Sequence, residues 1–161
     1  MGSLSVSWED PAELAARGRT MAGIEFLRAI RDGELPPPPM ARLMGMRLAE
    51  VEEGRAAFVA TPGEQHFNPI GVVHGGLAAT LLDSALGVAV HTTLARGEGY
   101  TTLETKFNLV RPVTLDSGEL RCDGRVVHRG GRVATADGRI VRGSDGKLVA
   151  HGTSTCLILS G

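Results

Sequence analysis

Between residues 75 and 94 the chain carries a long segment whose apolar residues, Leu77, Leu81, Leu82, Ala85, Leu86, Val88, Ala89 and Val90, run nearly all the way round a helix. Such a helix has no true solvent face and must be buried on most sides. It does not read as a membrane span, because the run 77–90 is short and contains Thr80, Asp83 and Ser84. The sequence around it reads as strands. Runs 46–51 and 55–60 alternate about a turn at Glu52-Glu53-Gly54, and 101–110, 119–128, 132–141 and 147–159 follow the helix. Their connections, Asp116-Ser117-Gly118, Arg129-Gly130-Gly131 and Ser144-Asp145-Gly146, are turn chemistry. This order predicts an α+β architecture with the helix against one face of an antiparallel sheet. A flat sheet would leave much of the helix bare, so either the sheet curves strongly or a second copy covers the rest. Edge-to-edge pairing of two copies would also satisfy an open strand edge.

Upstream, residues 8–31 read as an amphipathic helix with Ile24, Leu27 and Ile30 on one side, starting at Asp10-Pro11. Pro36-Pro37-Pro38-Pro39 ends anything helical and favours a stiff extended linker. The expected division is an N-terminal helical, proline-rich appendage, 1–43, and a main domain, 44–161. A chain of 161 residues suits one domain with a real core. Its 22 glycines point to many turns. With 17 basic against 18 acidic residues there is no basic excess for nucleic acid, and no partner of that kind or membrane is expected. Cys122 and Cys156 lack metal-site spacing, and the 5 histidines are scattered, so no metal is expected. Reduced cysteines and the lack of an apolar leader-like stretch near Met1 lead to an expected cytoplasmic location.

Asp83 is the anomaly of the helix. No Lys or Arg occurs between Gln65 and Leu94 to neutralise it, and an unpaired carboxylate is costly to bury. On a helix, Gly76, Thr80, Asp83, Gly87 and His91 fall on one small-and-polar stripe. The structural alternative is a pairing with a distant basic residue; the functional one is a base or nucleophile at a partly dry site. Directly before the helix stands His74-Gly75-Gly76. Unpaired amides at a helix start, with the positive end of its dipole, suit a developing oxyanion. Gly76 and Asp83 are two turns, about 10.5 Å, apart along the axis. One helix cannot bring both to one small carbonyl, so joint action requires Asp83 from a second, antiparallel copy. No GxSxG, P-loop, GxGxxG or HExxH occurs.

The stretch His66-Phe67-Asn68-Pro69-Ile70-Gly71-Val72-Val73-His74-Gly75-Gly76, followed by Leu81-Leu82-Asp83-Ser84-Ala85, resembles the hotdog-fold acyl-CoA thioesterases of the PaaI-like group. Thr102-Leu103-Glu104 and Asn108-Leu109-Val110-Arg111-Pro112 resemble that family's strand after the helix, and the likeness covers about residues 44–158. The resemblance implies a hotdog fold: one long central helix wrapped by a curved antiparallel sheet of about six strands, paired into homodimers or homotetramers with the site between subunits. It places Asp83 on the catalytic carboxylate and Gly75 on the amide that polarises the thioester carbonyl. It places Asn68 on a residue that positions carbonyl or water, and Thr102 near a water-orienting hydroxyl, with Thr101 as the neighbouring option. His74 accompanies them as a further candidate. No cofactor is implied, since CoA is part of the substrate.

An acyl-CoA brings phosphates. Arg129 with Gly130, in a loop opened by glycines, and then Arg111 are the candidates to bind them. Two other readings keep the same fold: an acyl-CoA hydratase or dehydratase, in which His74 would work with Asp83, and a non-catalytic acyl-CoA-binding module.

Overall fold

In the computed structural model, which describes residues 1–160, helix α4 (Gly75–His91) lies along the inner face of a sheet of six antiparallel strands. The strands are β1 (Met46–Glu52), β2 (Arg55–Ala60), β3 (Gly99–Leu109), β4 (Leu120–Arg129), β5 (Val133–Arg142) and β6 (Leu148–Leu159). Their spatial order is β1-β2-β4-β5-β6-β3, so the connection through α4 carries the chain from one side of the sheet to its far edge. This is the expected hotdog arrangement. Leu81, Leu82, Ala85, Leu86, Ala89 and Val90 are fully buried, as an all-round apolar helix requires. Gly161, the last residue of the expected main domain, lies outside the described residues.

The sheet can wrap the helix because of glycines that are not in turns. Gly124, Gly138 and Gly152 are in register across β4, β5 and β6. A Cβ on Gly124 would stand 2.5 Å from the carbonyl oxygen of Ala85, and one on Gly138 would stand 2.9 Å from Leu86 Cδ2. At Gly124 the backbone of α4 descends onto the sheet, and at Gly138 a Leu86 methyl does. Gly152 instead lets the neighbouring β3 backbone come close, where a Cβ would stand 2.6 Å from the Lys106 carbonyl oxygen. Turns account for other glycines, such as Gly54 between β1 and β2, with φ of +72°.

The N-terminal region differs from the single helix expected over 8–31. It forms α1 (Pro11–Arg19) and α2 (Gly23–Arg31), and the proline run leads into a short helix α3 (Pro39–Leu43) rather than staying extended throughout. Asp10 caps α1, accepting from the Ala12 N–H at 2.8 Å, with Pro11 in the first turn. Thr20 ends α1, its hydroxyl donating to the Arg17 carbonyl at 2.8 Å. The break lets α2 turn back onto the end of α4. The Gly23 N–H donates to Leu94 O at 3.0 Å, and a Cβ on Gly23 would overlap the His91 carbonyl. Phe26 and Leu27 are thereby buried in the same core as the sheet.

Candidate active site

The start of α4 is set by its residues. His74, extended at ψ 137°, is the N-cap, and its Nδ1 accepts from the Gly76 N–H at 2.8 Å. That bond spends the second glycine's amide on capping and leaves the ring's other nitrogen as a donor. The Gly75 N–H makes no hydrogen bond among the described residues. It is the free donor at the positive end of the helix. A Cβ on Gly75 would come within 2.7 Å of Leu109 Cδ1, so the glycine keeps the backbone close to β3.

Asn68 organises the loop ahead of the helix. Its Oδ1 accepts from the N–H groups of Ile70 and Val72 at 3.1 and 3.3 Å, and Gly71, with φ of +82°, completes the turn. The carbonyl half of the side chain is therefore occupied, which leaves its NH2 group for a ligand. Asn68, His74, Gly75 and Arg111 all line one cavity of about 340 Å3. The rest of its wall is mainly apolar, including Leu77, Ala78, Leu109, Leu120 and Val149. A carbonyl bonded to Gly75 would thus sit at the mouth of an apolar recess.

Asp83 is not in that recess. It lies two turns along α4 on the exposed side of the helix, flanked by half-buried Ala79, Thr80, Ser84 and Val88. No basic residue is bonded to it among the described residues, and its recorded partner is the hydroxyl of Thr105, which donates to Oδ1 at 3.2 Å. The distant ion pair offered as the structural alternative is absent there. Thr102, the expected hydroxyl, faces Cys156 across β3 and β6. A β-bulge between Thr102 and Glu104 shifts the alternation of β3 by one, so that Thr102 and Thr105 share the inner face. Thr101 is on the outer, exposed face.

The other half of the polar stripe is covered. Tyr100 lies over Gly87, where a Cβ would be 2.8 Å from the phenol oxygen. His91 is held between Phe26 and Tyr100, with ring centroids 5.7 and 5.5 Å away. Burial lowers the His91 pKa to about 4, and burial raises that of Tyr100, with the nearby Cys156 and Asp83 adding to the rise. Burial likewise raises the thiols of Cys122 and Cys156, keeping them protonated. His66 is buried, accepts from the Gly63 N–H at 3.0 Å, and has its pKa lowered by burial.

The two phosphate candidates part company. Arg111 is exposed at the cavity and donates to the Leu148 carbonyl at 2.7 Å. Arg129 pairs with Glu98 at 3.2 Å and donates to the carbonyl of adjacent Gly130. Glu98 follows the C-terminal end of α4, so within one protomer Arg129 and Gly130 lie at the opposite end of the helix from Gly75. Among the described residues no cluster of His, Cys, Asp and Glu could hold a metal ion. No described helix is long and apolar enough to cross a membrane.

Comparison with known proteins places this geometry in a family. The model of the thioesterase superfamily matches residues 70–149, from the loop before α4 into β6. Acyl-coenzyme A thioesterase 13 of Mus musculus is 32% identical over 92 residues, which is 57% of this chain and 64% of that protein. The alignment thus spans less than two thirds of the mouse relative's length. A phenylacetic acid degradation-related protein from Ralstonia eutropha JMP134 superposes with a TM-score of 0.73 and 31% identity, covering 81% of this chain and 98% of that one. The PaaI protein of the E. coli phenylacetic acid degradation operon, at 22% identity, shares the fold with a TM-score of 0.74 over 88% of this chain and 97% of its own.

Proposed function

The chain belongs to the thioesterase superfamily, with PaaI-like hotdog proteins among its structural neighbours, and from that premise we propose that it hydrolyses acyl-CoA thioesters to free acid and CoA at a site shared by two copies. The observation that carries the reading is the division of labour along α4. A free Gly75 amide opens onto an apolar recess, while a carboxylate without a basic partner, Asp83, stands on the uncovered side of the same helix.

In this reading the thioester carbonyl oxygen accepts from the Gly75 N–H of one copy, supported by the dipole of α4. The NH2 group of Asn68 steadies the carbonyl or the water. Asp83 of the second copy activates a water molecule. The water oxygen bonds to the carbonyl carbon as its proton passes to Asp83, the C–S bond breaks, and the sulfur leaves as CoA thiolate, which takes up the proton. Direct attack by Asp83 to give a mixed anhydride, then hydrolysed, uses the same parts. Arg111 is the first candidate for a CoA phosphate, because it borders the recess and is exposed. The expected assembly is a dimer in which the open edge of β3 and the bare side of α4 are covered by the second copy. A cytoplasmic location fits a CoA-dependent reaction.

The test is release of free CoA, read with a thiol reagent, from a panel of short-chain, long-chain and aryl acyl-CoAs. Hydrolysis of at least one class with turnover above the uncatalysed rate is expected. Hydration of a crotonyl-type thioester without hydrolysis would favour the hydratase, and tight binding without turnover would favour the binding module.

A further inference from the structure

Asp83 does not stand alone on its helix. Beneath it, the inner face of the β3–β6 pair carries hydroxyls and a thiol against a mainly apolar core. The facing pairs are Thr102 with Cys156 and Thr105 with Ser154. Ser154 is buried, and its hydroxyl hydrogen goes to the Glu104 carbonyl at 2.9 Å, a group sitting beside the β3 bulge. With its hydrogen committed, Ser154 Oγ can only accept. The Thr105 hydroxyl therefore has two acceptors within reach, Asp83 Oδ1 at 3.2 Å and Ser154 Oγ at 3.4 Å, and one hydrogen to give.

We propose that Thr105 is a positioning residue whose hydroxyl follows the charge of Asp83, with Ser154 as its second resting place. The inference rests on the hydrolase reading above. While Asp83 is a carboxylate, Thr105 donates to it, the stronger of the two bonds because the acceptor is charged. When Asp83 has taken the proton from the attacking water, Thr105 rotates. It then donates to Ser154 and accepts the new O–H of Asp83 on a lone pair. The proton stays on Asp83 until the leaving thiolate collects it, so Thr105 exchanges hydrogen bonds without gaining or losing a proton. Both charge states of Asp83 then keep a partner, and the carboxyl holds one orientation through the cycle. The bulge makes this possible: without it, Thr102 and Glu104 would share the inner face and Thr105 would point outward.

The test uses the full-length protein with Thr105→Val, Thr105→Ser and Ser154→Ala, each checked for an unchanged circular-dichroism spectrum and oligomeric state, and assayed on the best acyl-CoA of the panel. Thr105→Val keeps the shape and removes the hydroxyl. It is expected to lower kcat by about tenfold or more, the order of a hydrogen bond to a charged group, with KM within about twofold of the parent. Thr105→Ser is expected to recover most of that loss, and Ser154→Ala to lower kcat less than Thr105→Val does. A folded Thr105→Val protein with the parent's kcat overturns the proposal, as does a loss that Thr105→Ser fails to recover or one confined to KM. A parent that hydrolyses no thioester overturns the hydrolase reading and this proposal with it. A parent that is active and loses activity with Asp83→Asn, yet is indifferent to Thr105→Val, overturns this proposal alone.

Discussion

Gly75 and Asp83 stand eight residues apart on α4, about 12 Å along its axis, with the free amide at the mouth of an apolar recess and the carboxylate outside it. A thioester carbonyl is far smaller than that span. The two groups can meet at one carbon only if they come from different copies, with the helices antiparallel.

Replacing Asp83 by Asn keeps the size and the capacity to accept from Thr105, but removes the base. The expected outcome is a folded protein of unchanged oligomeric state whose kcat for acyl-CoA hydrolysis falls by about 10²–10⁴-fold. Free-CoA release by the purified variant checks this.

The Gly75 amide can be removed with little change to the helix, because proline is favoured at the first helical position and His74 is already extended there. Gly75→Pro is expected to cost about 10²–10³-fold in kcat. Gly75→Ala keeps the N–H while pressing on the same Leu109 side chain, so it serves as the steric control. The comparison to make is the kcat ratio of the two variants, and the larger loss belongs to proline.

Arg111 and Arg129 should separate in kinetics. Arg111→Ala removes an exposed cation beside the recess and is expected to raise KM for acyl-CoA by about tenfold with little change in kcat. Arg129→Ala breaks a half-buried pair with Glu98, and its first effect is expected on the melting temperature. Initial rates over a range of substrate concentrations, with a thermal melt on each variant, distinguish them.

Much of this was legible because α4 has an unusual pattern: all-round apolar residues interrupted by one acid name both the core and the anomaly. Where local rules were overridden, the reading slipped. Gly124, Gly138 and Gly152 were counted with the glycines of turns, since only the folded sheet shows that they align across β4, β5 and β6 with the first two against α4. The resemblance singles out Thr102 as a water-orienting hydroxyl, but nothing in the sequence points to the hydroxyl that bonds Asp83. The bulge at Leu103 carries no sequence signal of its own, and it is what turns Thr105 inward to Asp83. Ser154 was missed because only the pairing of β6 with β3 sets it opposite Thr105. The role of Phe26 against His91 depends on α2 folding back, which follows from the break after α1 and the close fit of Gly23. A continuous amphipathic pattern conceals that break.

His91 gives the fold an acid-side sensitivity. Its pKa is about 4 when folded, against an ordinary 6.5. Between those values the unfolded chain binds a proton that the folded chain does not. Its contribution to stability is thus complete above pH 6.5 and falls as the pH drops toward 4, by at most about 1.4 kcal/mol per pH unit. Buried His66 acts in the same direction. His91→Leu is expected to flatten the fall in unfolding free energy between pH 6.5 and 4, measured by urea denaturation at each pH.

The most direct measurement of the shared site pairs two inactive subunits. Asp83→Asn and Gly75→Pro chains, each with its own tag, are co-expressed and the heterodimer isolated through both tags. If each site joins Gly75 of one copy to Asp83 of the other, the heterodimer holds one intact site and one doubly broken one. Its acyl-CoA hydrolysis per dimer should then return to about half that of the parent, although neither homodimer is active. If the amide and the carboxylate worked within one protomer, every site in the heterodimer would lack one of them. A heterodimer as inactive as its parents would contradict the account.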